Sequence, residues 1–108
     1  MDRITLSTAE GLTFVRLEEI LYLQSDVNYT LFFLQNGEKI IVSKSLKDYE
    51  KILPEHQFFR IHQSYLVNIQ YVKKVLKEDG GSVLMPSGTQ LPISRRKKEA
   101  FLNLLTQG

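Results

Sequence analysis

The segment Phe58-Phe59-Arg60-Ile61-His62-Gln63-Ser64-Tyr65-Leu66-Val67-Asn68 places a cation, an imidazole, an amide and a hydroxyl between apolar clusters. A core strand does not tolerate that pattern, because every buried polar group needs a partner. A stretch anchored by Phe, Tyr, Leu and Val that still carries four polar side chains is expected to display them to a ligand.

The remaining composition limits which ligand. The 108 residues, 43% hydrophobic and 24% charged, suffice for one globular domain with a modest core. There is no internal repeat or low-complexity linker, so residues 1–108 are read as a single domain. The absence of cysteine excludes disulfides and thiolate metal sites. No apolar run approaches the roughly 20 residues of a membrane span. Met1-Asp2-Arg3-Ile4 lacks the layout of a signal peptide, which points to the cytoplasm. A domain this short, with no sensor of its own, also fits the effector part of a larger protein. Charge is uneven: up to Glu38, Arg3 and Arg16 face Asp2, Glu10, Glu18, Glu19, Asp26 and Glu38, whereas from Lys39 onward basic residues outnumber acidic ones two to one. A positive side of this kind is the footprint of a polyanion binder.

Most of the chain reads as short strands. Arg3–Ser7 and Leu12–Arg16 form a hairpin through Glu10-Gly11, and Leu17–Ile20 can make one helical turn. Leu21–Gln24 and Tyr29–Leu34 are strands separated by the polar link Ser25-Asp26-Val27-Asn28, and Asn36-Gly37 signals a hairpin into Lys39–Val42. Val72–Lys77, Ser82–Met85 and Gln90–Ile93 make a meander with turns at Asp79-Gly80-Gly81 and Pro86-Ser87-Gly88. Two helices complete a mainly β fold. The first starts at a capping box, Ser45 to Asp48, carries Leu46, Tyr49, Ile52 and Leu53 on one face and ends at Pro54. The second runs from the N-cap candidate Ser94 to about Leu105, with Ala100, Phe101, Leu104 and Leu105 as its apolar stripe.

On this reading Arg95, Arg96, Lys97 and Lys98 occupy the first turn of the last helix, where the dipole disfavours cations by about 0.3–1 kcal/mol each. Cations beside unpaired amides attract phosphate; the plain alternative is a solvated basic turn partly neutralised by Glu99.

These residues resemble a known family. Phe58–Asn68 followed by Leu91-Pro92-Ile93-Ser94-Arg95-Arg96 is similar to the paired signature of the LytTR DNA-binding domain of bacterial response regulators. Ile20–Leu23, Asp26–Thr30, Asn36-Gly37 and Lys44-Ser45-Leu46 fall where that family carries similar strings, so the resemblance covers nearly the whole chain. It implies an elongated domain of small antiparallel sheets with two short helices, whose loops enter successive major grooves of a DNA duplex. It also implies sequence-specific double-stranded DNA binding in transcription regulation, as the output domain of a two-component regulator. Partners then include repeated promoter elements, a second copy of the chain on DNA and a receiver or other sensor domain. No cofactor or metal is implied.

The resemblance assigns roles by position. Arg95 matches a base-reading arginine, and its planar fork suits guanine O6 and N7. The loop Asp26–Thr30 supplies a second reader, Asn28 or Tyr29, although a characterised family member carries a histidine in this loop. Gln63 matches a further polar contact, where Asn is the closer match. His62, Arg60, Lys44, Arg96, Lys97 and Lys98 are candidate phosphate contacts.

Plainer roles stand beside these. His62 can be a structural hydrogen-bonding residue, Asn28 a turn residue, and Phe58, Phe59 and Tyr65 core. Exposed aromatics also stack on single-stranded DNA or RNA bases. A catalytic set of His62, Ser64 and Asp79 or Asp48 lacks an elbow or oxyanion loop, and His56 and His62 lack metal-ligand spacing, so no enzyme is expected. The competing functional class is a protein-interaction module whose basic surface meets an acidic partner and whose nucleic-acid affinity is non-specific.

Overall fold

The computed structural model describes residues 1–107, apart from the side chain of Asp79. Strict alternation builds the first hairpin: in β1 (Arg3–Thr8) Ile4 and Leu6 point inward while Arg3, Thr5 and Ser7 face solvent. β2 (Gly11–Arg16) pairs with β1 antiparallel across Ala9-Glu10, and Gly11 accommodates φ 136° where the chain re-enters the ladder. Leu17–Glu19 forms the expected single turn, a 3-10 turn.

β4 (Tyr29–Leu34) has the expected bounds, whereas β3 (Ile20–Asp26) is longer than the sequence suggests. Ser25 and Asp26 do not belong to a polar link; they pair with Thr30 and Tyr29, leaving only Val27-Asn28 as the loop. Cross-strand pairing overrides their weak strand propensity. The next hairpin, into β5 (Lys39–Val42), uses Gln35–Glu38 rather than Asn36-Gly37 alone. There Asn36 Oδ1 accepts from the Glu38 N–H at 2.8 Å, and Gly37 takes φ 90°. In α1 (Leu46–Ile52) Ser45 Oγ accepts from the Asp48 N–H at 3.1 Å, as its sequence position predicts. Leu46, Tyr49 and Leu53 are buried, whereas Ile52 is exposed, against expectation.

The polar-apolar segment Phe58–Asn68 is a hairpin of β6 (Phe58–His62) and β7 (Tyr65–Asn68). β7 is a central strand after all: the five-stranded sheet has the order β5-β4-β3-β7-β6. It escapes the burial penalty because Arg60 and His62 lie on the edge strand, Gln63 and Ser64 form the tip, and Ile61, Leu66 and Val67 supply the buried positions. The buried polar exception, Asn68, is fully satisfied. Its Nδ2 donates to the carbonyls of Ile20 at 2.9 Å and Leu17 at 3.3 Å, and its Oδ1 accepts from the Gln70 N–H.

The meander is present as β8 (Lys74–Leu76), β9 (Ser82–Leu84) and β10 (Gln90–Pro92), in a separate three-stranded sheet. Val72 and Lys73, expected within its first strand, lie outside it. The last helix, α2 (Lys98–Thr106), starts later than expected. Ser94 does not cap it, since Lys97 holds the N-cap position; the Ser94 backbone N–H instead donates to the Ile61 carbonyl at 2.7 Å. Arg95–Lys97 form a separate turn closed by Lys97 N–H to Ser94 C=O at 3.0 Å, so of the four cations only Lys98 is helical. On α2, Phe101 is fully buried and Ala100 is exposed.

Alternation in β3 and β7 feeds two cores. Leu23, Phe32 and Leu66 join Leu6, Leu17, Tyr49 and Phe58 on one face, under the β1–β2 hairpin and α1. Tyr22 and Val67 join Ile61, Val83, Met85, Leu91 and Phe101 on the other, under the meander and α2. The molecule is thus three layers deep, 41 × 29 × 26 Å, with the five-stranded sheet in the middle. Phe58 is core, and Phe59 and Tyr65 pack against the second core.

Asn68→Ala should destabilise the domain by about 2–3 kcal/mol, because two buried carbonyls lose their donor. Urea denaturation checks this: the midpoint should fall while the slope stays constant.

Candidate nucleic-acid interface

The sheet brings chain-distant loops to one end. β3 and β7 run antiparallel with Gln24 opposite Tyr65, so the Val27-Asn28 and Gln63-Ser64 tips project side by side. The Ser25 N–H donates to the Ser64 carbonyl at 3.0 Å between them. Next to β4, buried Thr30 donates its hydroxyl to the Lys44 carbonyl at 2.7 Å and fixes the loop 43–45. Next to β6, the ladder shifts register between Arg60 and His62, and the Ile61 carbonyl anchors Ser94 and with it the turn 95–97. Lys44, Asn28, Tyr29, His62, Gln63, Arg95, Arg96 and Lys97 therefore all lie at this end.

Their local states differ. Asn28 and Gln63 are exposed on hairpin tips, and Tyr29, which begins β4, is 52% exposed. Arg95 and Arg96 are exposed, Lys97 half-buried, and Lys44 holds its ammonium 5.9 Å from the centre of the Tyr49 ring. Lys98 turns away from the group: its Nζ reaches the Gly80 carbonyl at 3.4 Å and lies against Gly81.

Arg60 and His62 shape the Gln63-Ser64 tip. The Arg60 guanidinium donates to the His62 carbonyl at 3.1 Å, to the Gln63 carbonyl and to Glu50 Oε1 on α1 at 2.8 Å. Its side chain is only 18% exposed, so it serves chiefly as a brace. His62 Nδ1 accepts from the Ser64 N–H at 3.0 Å, which requires the ring proton to sit on Nε2. Its Nδ1 lone pair is thus engaged by the Ser64 backbone rather than by the Ser64 hydroxyl. The Asp79 side chain, one carboxylate considered for a catalytic set, lies outside the described residues.

Beside this tip, Glu50, Arg60, His62, Gln63, Ser94, Arg96 and Lys97 line an open cleft of about 320 Å³. Among the described residues Arg60–Glu50 is the one ion pair, so Arg95, Arg96 and Lys97 keep uncompensated charge. Glu50 carries no signal in the sequence, because its pairing with Arg60 is tertiary. Val27 is hidden in the sequence as part of a polar link, although an isolated β-branched residue between Asp26 and Asn28 is a sign that it differs from its neighbours.

A three-layer β domain that presents a row of loops and cations without ion-pair partners at one edge has the form of a module that grips polyanions. Residues 10–106 match the LytTr DNA-binding domain family, and the chain belongs to it. A solved LytTr DNA-binding domain from Bacillus cereus shares the fold with a TM-score of 0.85 and 25% identity, over 98% of each chain. Among curated proteins, the sensory transduction protein LytT of Bacillus subtilis is 29% identical over 95% of this chain and 43% of its own length. The CO-responsive transcriptional regulator RcoM of Rhodospirillum rubrum is 27% identical over 97% and 45%. The chain thus spans less than half the length of these relatives. Among the described residues no helix is long and apolar enough to cross a membrane.

Removing the brace should separate its parts. Arg60→Ala is expected to cost about 2–3 kcal/mol, since two carbonyls lose a charged donor. Glu50→Ala, which removes only a half-exposed ion pair, should cost under about 1 kcal/mol. Parallel denaturation of the two variants checks the ranking.

Proposed function

We propose that this domain binds double-stranded DNA sequence-specifically in the cytoplasm and serves as the output part of a transcription regulator. The carrying observation is the convergence of Lys44, Asn28, Tyr29, Gln63, Arg95 and Arg96, drawn from four loops, on one end of a rigid sheet. Four strand spacings separate the outer strands of this row, about 19 Å. A major groove is about 12 Å wide, so one groove does not contain the row and its two ends meet different parts of a duplex. Arg95 and the Val27–Tyr29 tip act as base readers, while Lys44, Arg96, Lys97 and Gln63 hold phosphates. Arg60 and His62 support the contact from behind, while Lys98, tied to Gly80, stands apart from it.

The relatives support the regulatory part of this reading. One is titled a sensory transduction protein and the other a CO-responsive regulator, and each extends well beyond the shared region. Different inputs coupled to one common domain leave the common domain as the output. A receiver or other sensor on the same polypeptide, and pairing of two copies on repeated promoter elements, complete the proposal.

Selection against a random duplex library tests it, followed by titration of the winning site and a scrambled control at two salt concentrations. A preference of at least about a thousandfold is expected. Weak, salt-sensitive binding without preference would favour the protein-interaction reading. Arg95→Ala should weaken binding to the selected site by about 1–3 kcal/mol and to the scrambled duplex far less. Lys44→Ala combined with Arg96→Ala should weaken both duplexes alike and flatten the slope of log affinity against log salt by roughly 0.9 for each phosphate no longer neutralised.

A further inference from the structure

Two physical terms oppose a valine at position 27. Its φ is 55°, in the left-handed region that a β-branched residue rarely occupies. Its side chain is 92% exposed, more than any other large apolar residue of the domain. Gly or Asn at this position would relieve the backbone and remove apolar surface from water. Neither the stability of the hairpin nor the core therefore accounts for the isopropyl group, which among the described residues stands 92% exposed.

Its place in the fold indicates where a partner would come from. Val27 is the apex of the β3–β4 hairpin, near the middle of the loop row, between the Lys44 loop and the Gln63-Ser64 tip. Polar Asn28 and Tyr29 follow it directly. If this end meets a duplex, the apex reaches the groove floor ahead of its neighbours. The apolar group that bases present on the major-groove floor is the C5 methyl of thymine. Cytosine at the same place has no C5 methyl and presents its N4 amino donor, which an isopropyl group leaves unsatisfied.

We infer that Val27 is a specificity-determining residue that selects thymine by packing its methyl groups against the thymine C5 methyl. The inference rests on the DNA-binding reading above and adds to it the base identity read by this tip.

The test pairs a methyl on the base with a methyl on the protein. Each thymine of the selected site is replaced in turn by deoxyuridine, which removes only the C5 methyl, and affinity is measured for the 108-residue chain, Val27→Thr and Val27→Gly. For the unchanged chain, one replacement should weaken binding about three- to tenfold, the scale of one buried methyl. The same replacement should have a smaller effect with Val27→Thr, which keeps shape and branching but exchanges a methyl for a hydroxyl. It should have no effect with Val27→Gly. Melting of Val27→Gly should confirm that the hairpin still folds. If no thymine is sensitive, or if the penalty persists undiminished in both variants, Val27 does not read a thymine methyl, although specific binding stands. If no site is selected at all, the DNA reading fails, and this inference fails with it.

Discussion

The β3–β7 ladder is the constraint on which the rest of the molecule depends. Three paired positions, Tyr22 with Val67, Leu23 with Leu66 and Gln24 with Tyr65, join the β3–β4–β5 meander to the β6–β7 hairpin. These pairs set the register of both hairpin tips, because a slip by one residue would exchange the faces of every side chain beyond them. The two faces make such a slip costly. Tyr22 and Val67 belong to one core and Leu23 and Leu66 to the other, so the wrong register would mismatch both cores at once. Asn68 locks the far end of the same ladder onto the Leu17–Ile20 turn.

Charge is organised by the same scaffold. The acidic first part of the sequence and the basic remainder do not simply become two sides of the molecule, since Asp26 from the first and Lys44 from the second lie at the same end. The positive character there depends on which cations find partners inside the domain. Arg60 directs its charge to Glu50 and to two carbonyls, and Lys98 turns to Gly80. Arg95 and Arg96 stay exposed, on a turn that the Ile61 carbonyl holds through Ser94.

Local chemistry makes much of this legible in the sequence. Alternation in Arg3–Ser7, the glycine turns of the meander and the Ser45 cap each encode their element within a few residues. What escapes is decided at long range. Ser25 and Asp26 look like loop residues until Thr30 and Tyr29 pair with them, and Ser94 looks like a helix cap although it is tied to Ile61 and precedes a separate turn ahead of the helix. The segment 58–68 looks unfit for a core strand while its polar residues are read as one run, whereas a reversal at Gln63-Ser64 sorts them from the apolar ones. At the site, residue types and the family signature mark most of the loop positions that the fold gathers together. They do not separate residues that brace the loops, Arg60 and His62, from those that face outward, because bracing depends on partners such as Glu50 that no local pattern reveals.

The tips also differ in how firmly they are held. The Gln63-Ser64 turn is fixed by an arginine brace and an imidazole acceptor, and the turn 95–97 by backbone bonds at Ser94 and Lys97. The Val27-Asn28 tip relies on strand pairing and on the Ser25–Ser64 bond, while its first residue sits in a strained conformation. Loops fixed before binding lose little freedom when they bind, so more of their interaction energy is retained as affinity. For a domain that meets a duplex with this end, the braced turn 95–97 then supplies charge at a fixed place and the braced Gln63-Ser64 tip a fixed polar surface. On the proposed reading, the β3–β4 apex, tied down by less side-chain chemistry, is where a substitution alters the base read without dismantling the scaffold beneath it.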